Sequence, residues 1–126
     1  MGKKIVIFAL LALIIAAALI ESFYVCSATE QLIAVLTHVQ NALLLGDDAG
    51  ACDAAKDFNE KWENEKQRLE ALFKHEEVDV ISATAKRIET CCAAGDRDDA
   101  MAEVAAALFY VNHLHEMICV RWENIF

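Results

Sequence analysis

Sixteen unbroken apolar residues, Ile5 to Ile20, stand directly behind Lys3 and Lys4. No other feature constrains the chain as much. Glu21 and Ser22 interrupt the run, and Phe23-Tyr24-Val25-Cys26 resumes it. As a helix, Ile5 to Cys26 reaches about 33 Å, against a hydrocarbon layer about 30 Å thick. Phe23 and Tyr24 suit the far interface, where amphipathic rings anchor a span. Of the 11 basic residues, Lys3 and Lys4 precede the run, which leaves nine against 20 acidic residues after it, a charge of −11. Lysines remain in the cytoplasm, so the expectation is a single-pass protein with its N-terminal side inside. Residues 1–26 form the anchor and residues 27–126 an acidic extracytoplasmic domain. A cleaved signal peptide is the competing reading, because Ala16-Ala17-Ala18 offers a small-residue cleavage site. A lipid-modified Cys26 is disfavoured by the bulky Phe23-Tyr24-Val25 before it.

Composition excludes several functions. A net charge of −9 opposes nucleic-acid binding, which requires clustered Lys and Arg against phosphate. No Gly-rich phosphate loop is present, so a nucleotide enzyme is not expected.

Beyond the anchor, Gly46, Gly50 and Gly95 mark turns, and apolar residues between them recur at helical spacing. The stripes are Leu32, Leu36, Val39, Leu43; then Ala55, Phe58, Trp62, Leu69, Phe73; then Ile81, Ala85, Ile88, Cys92; and Met101, Val104, Leu108, Val111, Ile118. Gly46 and Gly95 suit left-handed helix ends, and Asp47 (or Asp48) and Asp96 suit N-caps. The soft boundary is His75-Glu76-Glu77-Val78-Asp79, where Asp79 is a candidate cap. A short G-D-x-x-x-A repeat at Gly46 and Gly95 points to two helical hairpins that bury their stripes against each other. The predicted fold is all-α: a transmembrane helix continuing into an up-and-down four-helix bundle. Nothing between Ile5 and Leu45 breaks a helix, so the first helix is expected to be one rod.

That topology sorts the five cysteines by height. Cys52 with Cys91 or Cys92, at the far end, is the preferred bridge, and Cys26 with Cys119, near the membrane, is the second. The alternative is that they are small buried apolar residues, as free Cys often is.

The sharpest catalytic hint is H-E-x-x-D. On a helix His75 and Asp79 share a face, and Glu76 could serve as base in a metal-dependent hydrolase. Against it, acidic residues at a helix start need only the macrodipole to explain them. His115-Glu116-Met117-Ile118-Cys119 is not a zinc-protease motif, and no Glu-x-x-His pair of a di-iron bundle occurs. Trp62 reads as core. Trp122, Asn124, Ile125 and Phe126 form a tail that could meet the membrane interface or a partner. The mixed charges from Asp57 to Glu70, Glu63 with Arg68 for instance, read as a solvated face.

The anchor, Lys61-Trp62-Glu63, the His75–Asp79 junction, the Ala-rich fourth helix and the Glu123-Asn124-Ile125-Phe126 ending together resemble the bacterial family known as domain of unknown function 4363. That family comprises small membrane-anchored helical proteins of Firmicutes. Its members often carry a Pro near the end of the last helix, whereas His113-Leu114-His115-Glu116 here has none. The resemblance implies location and fold, and no catalytic residue. The functional expectation is a non-enzymatic module without cofactor, bound to the bilayer by its first helix and to a membrane or envelope protein through the anchor face, the bundle or the Asn124-Ile125-Phe126 tail. The alternatives are the His75/Glu76/Asp79 hydrolase and an extracytoplasmic sensor of a small ligand or cation.

Overall fold

The computed structural model describes residues 1–125, with side chains through Cys119. Four helices follow one another: α1 (Gly2–Leu44), α2 (Asp48–Leu72), α3 (His75–Ala93) and α4 (Arg97–Ile125). The described residues contain no strand. Each helix packs on its neighbours in chain order and α4 closes against α1, the cyclic arrangement of an up-and-down bundle. α1 is one helix of 43 residues, about 64 Å long.

The two glycine turns share one construction. Gly46 and Gly95 have φ of 75° and 72°, a region that costs a residue with a Cβ. Asp47 N–H reaches back to the Ala42 carbonyl at 2.9 Å and Gly46 N–H to that of Leu43 at 3.2 Å. Asp96 and Gly95 repeat this pair onto Cys91 and Cys92 at 3.0 and 3.2 Å. These bonds satisfy the last carbonyls of α1 and α3. Asp47 then caps α2, its carboxylate accepting from Gly50 N–H at 3.0 Å. The small residues that follow, Ala51 and Ala100, are both fully buried, so each hairpin opens on a close helix approach. Arg97 joins the two turns through Asp48 at 3.2 Å.

The remaining turn differs from expectation. Asp79 does not cap α3; the helix begins four residues earlier, at His75, behind extended Phe73 and Lys74 with no side-chain cap. Glu76 and Glu77 in the first turn complement the helix dipole instead.

The core follows the first three stripes closely. Leu32, Leu36, Val39, Leu43, Phe58, Trp62, Ile81, Ala85, Ile88 and Cys92 are buried together. Trp62 is fully enclosed, and its indole N–H donates to Ser82 Oγ at 2.7 Å, so its one polar group is satisfied. On α4 the buried row is Ala100, Val104, Ala107, Val111 and Leu114, and Met101, Leu108 and Ile118 flank it. Val104 and Val111 belong to both the expected and the buried row, whereas Met101 and Leu108 each stand one position past the buried Ala100 and Ala107, because alanines carry the seam at those turns.

Residues 1–20 are exposed along their whole length, with Phe8 at 69% and Ile20 at 71%. The window that is apolar enough to cross a membrane has no residue buried against the described side chains.

Candidate functional site

The bundle begins where the apolar run ends, and three links between helices mark that level. Glu21 pairs with Arg68 of α2 at 3.6 Å. Arg68 lies 3.9 Å over the ring of Tyr24, a cation–π contact, and Tyr24 donates its hydroxyl to Glu65 at 3.1 Å. Arg68 therefore serves α1 and not Glu63, contrary to the helix-local pairing. Phe23 stays 75% exposed beside them, as a ring at a lipid–water boundary would be.

One turn further along, Cys26 of α1 is disulfide-bonded to Cys119 of α4, with Cα atoms 5.7 Å apart. His115 sits one turn before Cys119 on the same face, its Nδ1 3.3 Å from the Cys119 sulfur. Thr29, fully buried one turn after Cys26, gives its hydroxyl proton to the Cys26 carbonyl at 2.8 Å and lies 2.9 Å from the same Nδ1. With that proton committed, the geometry assigns Nδ1–H as donor to the Thr29 oxygen. Two helices thus place two sulfurs, an imidazole and a hydroxyl in one partly buried cluster. Ligand atoms of Cys26, His115 and Cys119 all lie within 4.8 Å of one another.

Other candidate residues stand elsewhere. His75, Glu76 and Asp79 are exposed in the first turns of α3. Among the described residues, the atoms that gather within ligand distance are those of the Cys26 cluster and not of this trio. The preferred Cys52 bridge is corrected: Cys52, Cys91 and Cys92 are free thiols. Height in the bundle placed all three at the far end, but height does not choose partners; side-chain direction does. Cys92 is buried in the core, with Cys52 as its neighbour. Trp122, Asn124, Ile125 and Phe126 lie outside the residues whose side chains are described.

Burial first, then the neighbouring Cys52 and Cys91, push the Cys92 thiol up from its ordinary 9.0 to about 11. Cys91 is also raised, by desolvation and then by Asp99 and Asp96. Only the thiolate reacts, so at pH 8 alkylation of Cys92 should run about 100-fold slower than that of an ordinary thiol. Timed iodoacetamide labelling with peptide mass mapping checks this. The folded state holds the Cys92 proton more tightly than the unfolded state. Its contribution to stability is therefore complete below about pH 9 and lost as the pH rises towards 11.

A second feature lies between α3 and α4. A groove of about 330 Å³ is lined by Val80, Ile81, Phe109, Tyr110 and Leu114, with Glu76, Glu77 and His113 at its rim. Phe109 is 70% exposed and stacks edge-on against Tyr110, with ring centres 5.7 Å apart. Sequence periodicity missed it, since an exposed aromatic on an otherwise regular helix breaks no pattern. The Cys26 cluster did leave a signal: His115 and Cys119 are spaced i, i+4 and so share a face.

No curated protein and no solved structure matches the chain. A family model does, over residues 19–125, taking in nearly the whole bundle and starting at the end of the apolar run. That family's description assigns no activity. By this match, the chain belongs to the family described as a domain of unknown function (DUF4363).

Proposed function

We propose that this protein is a non-enzymatic interaction module, held in the cytoplasmic membrane by one helix and displaying its acidic bundle on the outer face. The observation that carries the reading is the open apolar groove of α3 and α4, with Phe109 and Tyr110 at its mouth. An exposed aromatic patch with a charged rim is the ordinary form of a protein-binding surface. The groove flanks the start of α3, next to the α2–α3 turn, and Arg68 near the end of α2 pairs with Glu21 where the apolar run stops. A second membrane protein is therefore the partner that can reach it. The carboxylates of Glu76 and Glu77 favour basic residues on that partner. The lysine pair and the charge of −11 beyond the span support the orientation.

Photo-crosslinking in intact cells tests the reading, with the photoreactive residue placed at Tyr110. The expected product is a discrete adduct with one membrane or envelope protein. Adding Phe109→Glu should reduce its yield at least tenfold while helical content is unchanged. An adduct yield indifferent to Phe109→Glu, or a C-terminal reporter active only in the cytosol, overturns it.

A further inference from the structure

We propose that the Cys26–Cys119 bridge is the oxidised form of a metal site, and that the reduced chain binds a single zinc-class divalent ion through Cys26, Cys119 and His115. A purely structural disulfide between α1 and α4 requires no imidazole, yet His115 Nδ1 stands 3.3 Å from the Cys119 sulfur. The three ligand atoms gather within 4.8 Å, the scale on which the ligands of one tetrahedral ion lie from each other. Two ligands come from one face of α4 at i and i+4, and the third comes from α1. The cluster is partly buried, which limits competing water and leaves one position open to solvent. In the oxidised form Thr29 holds this nitrogen: its hydroxyl proton goes to the Cys26 carbonyl at 2.8 Å and its oxygen lies 2.9 Å from His115 Nδ1, a contact that the ion replaces.

The chemistry balances as follows. A dithiol reductant supplies two electrons and two protons to the S–S bond and closes to its own disulfide, leaving thiols on Cys26 and Cys119. The entering ion displaces both thiol protons to solvent. It binds two thiolates and neutral His115 through Nδ1, whose proton leaves the Thr29 oxygen and is replaced by one taken up at Nε2 from solvent, and water takes the fourth position. Bridge and ion are thus alternative fastenings between α1 and α4, at the level where the anchor meets the bundle. This inference does not depend on the partner reading, and its test involves no partner.

Cobalt(II) titration of the full chain in detergent decides it, because thiolate ligands give a cobalt charge-transfer band that oxygen ligands do not. The chain is reduced with a dithiol, freed of the reductant without air, and titrated as Cys52→Ala/Cys91→Ala/Cys92→Ala, so that only the cluster thiols remain. One equivalent should bind with the thiolate band, Zn²⁺ should displace it, and the unreduced chain should show no band. His115→Ala should weaken binding at least tenfold. A complementary chain, Cys26→Ser/Cys119→Ser with the far thiols intact, should lose the stoichiometric site. Absence of the band in reduced protein of unchanged helical content overturns the proposal. So does undiminished affinity in His115→Ala, or binding by Cys26→Ser/Cys119→Ser equal to that of the parent.

Discussion

Replacing Cys26 and Cys119 together by alanine is expected to lower the stability of the oxidised bundle by about 4–5 kcal/mol. The bridge spans a sequence separation of 93 and ties the first bundle turn of α1 to the last described turns of α4. A loop of that size has large closure entropy, and the cross-link denies most of it to the unfolded chain. Little in the folded state opposes the change, because alanine continues both helices. The cost therefore arises through the unfolded ensemble. Urea unfolding followed by far-ultraviolet circular dichroism, with and without a reductant, measures it. The midpoint should fall in the variant, and the reductant should lower the parent to the same value while leaving the variant where it was. A shift below about 1 kcal/mol would mean that α1 and α4 stay together in the unfolded chain without the bond.

Trp62→Ala carries the second large effect, a loss of about 3–5 kcal/mol. Trp62 is the largest fully buried side chain, and its removal opens a void between α2 and α3 while stranding the Ser82 hydroxyl. Trp62→Phe keeps most of the ring and forfeits the bond to Ser82, so it should cost far less, about 1–2 kcal/mol from the lost bond and the smaller ring. The same urea experiment separates the two. Equal losses would show that the hydrogen bond, and not the volume, holds α2 to α3.

How much was legible before the structure depends on the kind of signal. Helical spacing identified the core of α1, α2 and α3, because a stripe of large apolar residues has only one way to leave water. On α4 the spacing found Val104 and Val111 but took Met101 and Leu108 in place of the buried Ala100 and Ala107. Ala100, Val104 and Ala107 make the seam, and small residues advertise a close helix approach less loudly than Met101 and Leu108 advertise bulk. The glycine–aspartate repeat read correctly as two equivalent turns, since a left-handed glycine followed by an acidic cap has few other uses. The α2–α3 turn carries neither signal, and α3 began four residues before its predicted cap. At the candidate site, i, i+4 spacing put His115 and Cys119 on one face, but Thr29 gave no warning. A threonine in a helix is ordinary until another helix places an imidazole against it.

The sequence by itself determined what is local and additive. An apolar run behind two lysines, the helical period after it, the glycine punctuation and the acidity of the remainder all act through solvation and short-range geometry, whatever the rest of the chain does. Only the tertiary structure decided which groups meet across helices: Cys26 with Cys119, Thr29 with His115, Arg68 with Glu21 and Tyr24, Trp62 with Ser82. Those pairings depend on the rotation and offset of each rod against its neighbour. Packing all the stripes at once sets these quantities, and no stretch of sequence encodes them alone.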